Sequence, residues 1–150
     1  MRSRSKLLLA LVIGVAGLVA AIAWFAWRSG PMSDAEVKNR FAEHRADFED
    51  LCRRFPSSGV SEVSAAERGR GGEWTAWLER VGALSIATSG AEVDIVLARS
   101  GIVASGSTTS IVCASSAPAP VVQDSARMRG LHGRQCAQLD RGWWICREWN

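Results

Sequence analysis

Six side chains in this sequence could ligate a metal, cycle electrons or take up a proton near neutral pH: Cys52, Cys113, Cys136, Cys146, His44 and His132. His132 stands four residues before Cys136, and with Cys146 these three could ligate a soft metal. The same two cysteines have a simpler use. Cys136 to Leu139 and Trp143 to Cys146 flank Asp140-Arg141-Gly142, which reads as a three-residue hairpin loop with Gly at the left-handed position. With Leu139 facing Trp143, Cys136 falls opposite Cys146 at a non-hydrogen-bonded site, where side chains approach most closely.

Four cysteines pair in three ways, and this register selects Cys136 with Cys146 and leaves Cys52 for Cys113. In the chain-entropy picture the long bridge contributes about 4 kcal/mol and the hairpin bridge about 3 kcal/mol. An even cysteine count reads as disulfides formed in an oxidising compartment. Without a Cys-x-x-Cys the cysteines are not read as a redox couple. His44 lies on an apolar helix stripe and reads as a partly buried structural residue rather than a base. The glycine-rich Gly69-Arg70-Gly71-Gly72 follows no hydrophobic strand and is followed by no Lys-Ser or Lys-Thr, so it reads as a loop, not a phosphate cradle. Nucleophile elbow, dinucleotide fingerprint and zinc-type spacing are all missing from the sequence. No catalytic residue, metal or cofactor is therefore assigned.

These residues are carried by an exported domain, because the chain begins with an apolar anchor. Residues 7 to 27 contain no charge, and 11 of these 21 are Leu, Val, Ile or Phe. At the helical rise the run spans roughly 31 Å, one hydrocarbon core, and its large apolar residues favour insertion by about 3 to 7 kcal/mol. Arg2, Arg4 and Lys6 precede the run and Arg28 follows it, so the positive-inside rule keeps the N-terminus in the cytoplasm. Trp24 and Trp27 sit at the exit end, at headgroup depth. The competing reading is a signal peptide cut after Ala21-Ile22-Ala23, but the apolar run is too long for a signal core and continues beyond the cut. The chain reads as a single-pass inner-membrane protein with a periplasmic C-terminal domain.

The formal charge of +3 resides in the three N-terminal cations, since residues 28 to 150 carry 15 basic and 15 acidic side chains. A neutral domain lacks the electrostatic footprint of nucleic-acid binding. Residues 28 to 98 have 9 basic against 12 acidic residues and residues 99 to 150 have 6 against 3, so the two halves attract.

The expected fold is α+β. After the transmembrane helix (7–27) and its basic tail (1–6), residues 28–56 read as one amphipathic helix. It opens at a Ser33–Glu36 capping box, with Val37, Phe41, Phe48, Leu51 and Phe55 on one face. Residues 57–72 read as a linker with at most a short strand near Val60 to Val63. Residues 73–150 read as a small α+β domain that packs with 28–56 as one exported unit. In it a short helix, Glu73 to Val81, ends at Gly82. Short β-forming runs follow: Leu84 to Thr88, Val93 to Leu97, Ile102 to Ala104, Thr108 to Cys113, Cys136 to Leu139 and Trp143 to Trp149, an antiparallel meander. Residues 117–133 read as an irregular loop. Both helices cover one sheet face. Alternation puts Trp143 and Trp149 on one face and Trp144 on the other, making Trp144 the residue expected to be exposed or at an interface.

Phe41-x-x-His44-x-x-x-Phe48-x-x-Leu51, Ala104-Ser105-Gly106-Ser107 and Gly142-Trp143-Trp144 together resemble a family of small, N-terminally membrane-anchored proteobacterial envelope proteins. No activity is assigned to that family, so the resemblance implies a location and no functional residues. Here Thr109-Ser110-Ile111 stands where the pattern has Lys-Gly and an aromatic, and the four cysteines are an addition. The leading functional expectation is a non-enzymatic module that holds a protein or envelope component near the lipid bilayer. An immunity-type inhibitor of an exported toxin and a small periplasmic enzyme are the alternatives.

Overall fold

Ser33 starts the first helix by a reciprocal exchange: its hydroxyl accepts from the Glu36 N–H at 3.3 Å, and the Glu36 carboxylate accepts from the Ser33 N–H at 2.8 Å. Two donors that a helix start leaves open are thereby satisfied. The Ser33 hydroxyl, which also donates to the Glu36 carboxylate at 2.7 Å, and then the Ser33 N–H hold the Glu36 carboxyl below its ordinary pKa, with Arg40 adding to the effect. In the computed structural model the described residues are 14, 15, 17–19, 32–66, 72–101, 106–118, 120–123, 128 and 133–149.

Two units are present, Met1–Gly30 and Pro31–Asn150. In the first, only Gly14, Val15 and Gly17 to Val19 are described, and they are helical. The remainder of the 7–27 run lies outside the described residues. Among the described residues no helix is long and apolar enough to cross a membrane.

The second unit is α+β. Helix α1 (Asp34–Glu43) and helix α2 (Arg45–Arg54) replace the single helix expected over 28–56. His44, at φ −115° and ψ 25°, leaves the helical region between them. Neither Pro nor Gly marks this kink, and backbone bonds still cross it, from His44 N–H to Arg40 and from Phe48 N–H to His44. It sits between Phe41 and Phe48, whose rings both meet Trp143, at 5.1 and 6.3 Å. A 3₁₀ turn (Phe55–Ser58) follows, then strand β1 (Glu62–Ser64), so the stretch read as a linker supplies a sheet edge.

Helix α3 (Glu73–Val81) stops at Gly82, whose φ of +66° suits a residue without a Cβ. Arg40 of α1 donates to the Gly82 carbonyl at 2.7 Å, placing a cation at the negative end of α3. Strands β2 (Ser85–Ser89), β3 (Glu92–Ser100), β4 (Ser107–Cys113), β5 (Gly133–Asp140) and β6 (Trp143–Trp149) complete a six-stranded antiparallel sheet. Residues 102–105, which include the whole strand expected over Ile102 to Ala104, lie outside the described residues.

The strand order is β1-β2-β3-β4-β6-β5, not a meander in chain order. Burial explains the exchange. Trp143, Trp144, Ile145 and Cys146 are four consecutive buried residues, so β6 needs cover on both faces and a neighbour on each side. The more polar β5, with Arg134, Gln135 and Gln138, takes the outer position. Its edge is partly covered: Cys136 N–H donates to Pro120 and Val122 N–H donates to Cys136, at 3.0 and 2.7 Å. In the hairpin itself the closing pair is Asp140 with Trp143, and Leu139 is the extra residue of a bulge rather than the partner of Trp143.

All three helices cover one sheet face. Phe41, Phe48, Leu51, Phe55, Trp74 and Leu78 meet Ile86, Ile95, Ile111, Trp143 and Ile145 in a single cluster. A disulfide from Cys52 on α2 to Cys113 on β4 fastens the helical layer to the sheet across 61 residues of sequence. Phe48 is fully buried between Phe41 and Trp143. Phe48→Ala is expected to cost about 3 to 5 kcal/mol, read as a lower urea midpoint in the non-reduced protein; a cost below about 1 kcal/mol would show that this junction is not the centre of the core.

Candidate functional site

On the face of the sheet away from the helices, alternation and pairing set out rows of side chains. One row runs Glu62, Ala87, Asp94, Val112, Trp144 and Gln138; the next runs Ser85, Val96, Ser110, Cys146 and Cys136. The row beyond holds Arg99, Thr108, Glu148 and Arg134. One end of this face is apolar. Val112, Ala114, Cys136, Trp144 and Cys146 form a second small core around the Cys136–Cys146 disulfide. The two cysteines are paired across strands with Cα atoms 4.1 Å apart, and the N–H and C=O of Cys136 point away from β6 toward residues 120 and 122. That is the geometry of a non-hydrogen-bonded pair.

Trp144, expected to be exposed or at an interface, is only 9% exposed and belongs to this second core. Its indole Nε1–H has no hydrogen-bond partner among the described residues. Alternation correctly sends it away from the helices; burial under neighbouring side chains follows from tertiary structure. His132 lies outside the described residues, and the described ones contain no group of three metal-ligating side chains. His44 is half-buried at the α1–α2 junction, its Nδ1 at 3.6 Å from Asp47.

The rest of this face opens into a cavity of about 230 Å³. Its floor is made of small side chains, Ser85, Ala87, Ser110 and Cys146, which leave the space unfilled. Its walls are the longer Glu62, Asp94, Arg99, Arg134 and Glu148. Arg134 spans it. Its guanidinium donates to Glu92 at 3.1 Å and to Asp94 at 3.2 Å, although β4 and β6 lie between β5 and β3. Three strand spacings amount to about 14 Å on a flat sheet, so the coiling of this sheet is what brings the partners together. The bulges between Val96 and Ala98 and between Gln138 and Asp140 accentuate it.

Burial is the main force on Asp94, and it pushes the carboxyl above its ordinary pKa. The Ser110 hydroxyl and Arg134 pull it back, while Glu148 and Glu92 push it further up. Asp94 Oδ1 is buried without a well-formed hydrogen bond, although the Ser110 hydroxyl is close enough to favour the charged form. Glu62 and Glu148 make no ion pair among the described residues. Ser85 is 4% exposed, and no partner for its hydroxyl is found among them either. The lining offers ion pairing and hydrogen bonding to a small polar group.

None of these wall residues is conspicuous in the sequence. A signal nevertheless exists: Arg134 and Glu148 stand two residues from Cys136 and Cys146, so strand alternation places them on the face that carries the disulfide. Glu92 and Asp94 interrupt the apolar run of β3 at the same period.

Because burial keeps Asp94 protonated to higher pH in the folded chain than in the unfolded one, its stabilising contribution is complete below the ordinary carboxylate range. That contribution is lost as pH rises through the raised pKa. Asp94→Asn removes the dependence. Its urea midpoint, relative to the parent, is expected to be higher at pH about 7 than at pH about 4. The opposite trend would mean that the Arg134 pair outweighs burial.

No protein family, no curated protein and no solved structure matches this chain.

Proposed function

We propose that this chain is a single-pass inner-membrane protein whose periplasmic domain holds a protein or envelope component close to the bilayer without transforming it. The observation that carries the reading is the pairing of all four cysteines, Cys52 with Cys113 and Cys136 with Cys146, in a domain that follows a 21-residue uncharged run. Disulfides of this kind persist outside the cytoplasm, and three cations ahead of an apolar run orient its far end outward.

The open sheet face supports a holding role. Two of its charged wall residues, Arg134 and Glu148, are set on strands fastened by a disulfide, so a ligand meets groups there that need little reordering. Arg134 is already engaged by two carboxylates, an arrangement suited to recognition by charge.

A reporter fused after Asn150 is expected to be active as a periplasmic reporter and silent as a cytoplasmic one. A photo-crosslinking residue at Glu62, at the cavity wall, is expected to trap an envelope component in intact cells. A cytoplasmic C-terminus would overturn the orientation. Turnover of a substrate that one polar substitution abolishes, with the fold intact, would overturn the holding role.

A further inference from the structure

We infer that the cavity on the open sheet face binds an organic cation with N–H donors, a guanidinium or a primary ammonium, through Glu148 and the hydroxyls of its floor. The inference deepens the proposed holding role and rests on it for where the cation comes from, not for whether the cavity takes one.

The internal Arg134 displays the chemistry. Its guanidinium crosses the coiled sheet to reach Glu92 and Asp94, one positive charge shared between two carboxyl groups. Beyond that triad the walls carry two carboxylates with no ion pair among the described residues, Glu62 and Glu148, against one exposed guanidinium, Arg99. The balance is acidic. Glu148 is also close enough to Asp94 to oppose its ionisation, so a cation arriving between the two relieves both.

The floor supplies the second, independent requirement. Ser85 and Ser110 are each 4% exposed and line the cavity, and the Ser85 hydroxyl has no partner among the described residues. A hydroxyl that lines the cavity and is not engaged elsewhere can accept from an N–H donor placed over it. A bare metal ion fits poorly: among the described residues no three acidic, His or Cys side chains converge on one point. An apolar ligand fits poorly as well, because among the described residues the lining holds no aromatic side chain and its apolar members are Val96, Ala87 and Cys146.

The test uses the full chain in detergent micelles, with amide NMR shifts followed during titration with propylguanidinium, and with its neutral counterpart propylurea as control. Propylguanidinium is expected to shift the amides of Ser85, Val96 and Ser110 saturably while propylurea leaves them unmoved. Glu148→Gln is expected to weaken binding about fivefold, and Arg99→Gln to strengthen it about twofold. Equal shifts with propylurea, absence of any shift, or a weakening by Arg99→Gln with none by Glu148→Gln would overturn the inference. In a second arm, a blocked Gly-Arg-Gly peptide that binds at least as tightly as propylguanidinium identifies a basic side chain of a partner protein as the source. Binding confined to the free cation identifies a small amine. Either result upholds the cation site, and the second, joined to an empty crosslinking experiment at Glu62, removes protein capture while leaving the site in place.

Discussion

Strand β6 is buried on both faces at once, and the architecture follows from that demand. Trp143 and Ile145 enter the core beneath the helices, while the alternate residues Trp144 and Cys146 enter a second core on the opposite side. A strand with that pattern is stable only as an inner member of its sheet. β4 therefore pairs with β6 rather than with β5, and β5 becomes the outer strand whose edge residues 120 and 122 partly cover. The α1–α2 kink belongs to the same constraint, since Phe41 and Phe48 both close on Trp143.

Around this centre ion pairs join the two halves of the domain, Arg147 with Asp34 in the sense of their net charges and Arg45 with Asp140 against it. Arg147 of β6 donates to the Met32 carbonyl and to Asp34 at 2.9 and 2.6 Å, and Arg45 of α2 meets Asp140 at 2.7 Å. The two contacts differ in worth. Arg45 and Asp140 face solvent, which screens their attraction. The Arg147 side chain is only 13% exposed and ties the start of α1 to the last strand, so removing one partner leaves a largely buried charge behind. Stability rests on the aromatic core and the two bridges; the ion pairs set which element lies against which.

The face opposite the helices shows how one strand period serves two purposes. Large residues at one end of the rows close a small core around the disulfide, and small residues at the other end leave a cavity. Charged residues two positions from each cysteine then stand at the wall, held by the strands that the bridge fastens. The bridge thus fixes Arg134 and Glu148 at one side of the cavity, while Glu62 stands on β1 and Asp94 and Arg99 on β3.

Local chemistry alone determined much of this protein. Ser33 with Glu36 opens a helix, Gly82 ends another, and the residues around Asp140-Arg141-Gly142 make a hairpin in which Cys136 is opposite Cys146. Each depends on neighbours within a few residues, whose geometry the backbone itself restricts. Only the tertiary structure decided the break at His44, the exchange of β5 and β6, and the burial of Trp144. It also decided the meeting of Arg134 with Glu92 and Asp94, some 40 residues away. These depend on which surfaces are covered and on how far the sheet coils, and both are properties of the assembled layers, not of any segment in them.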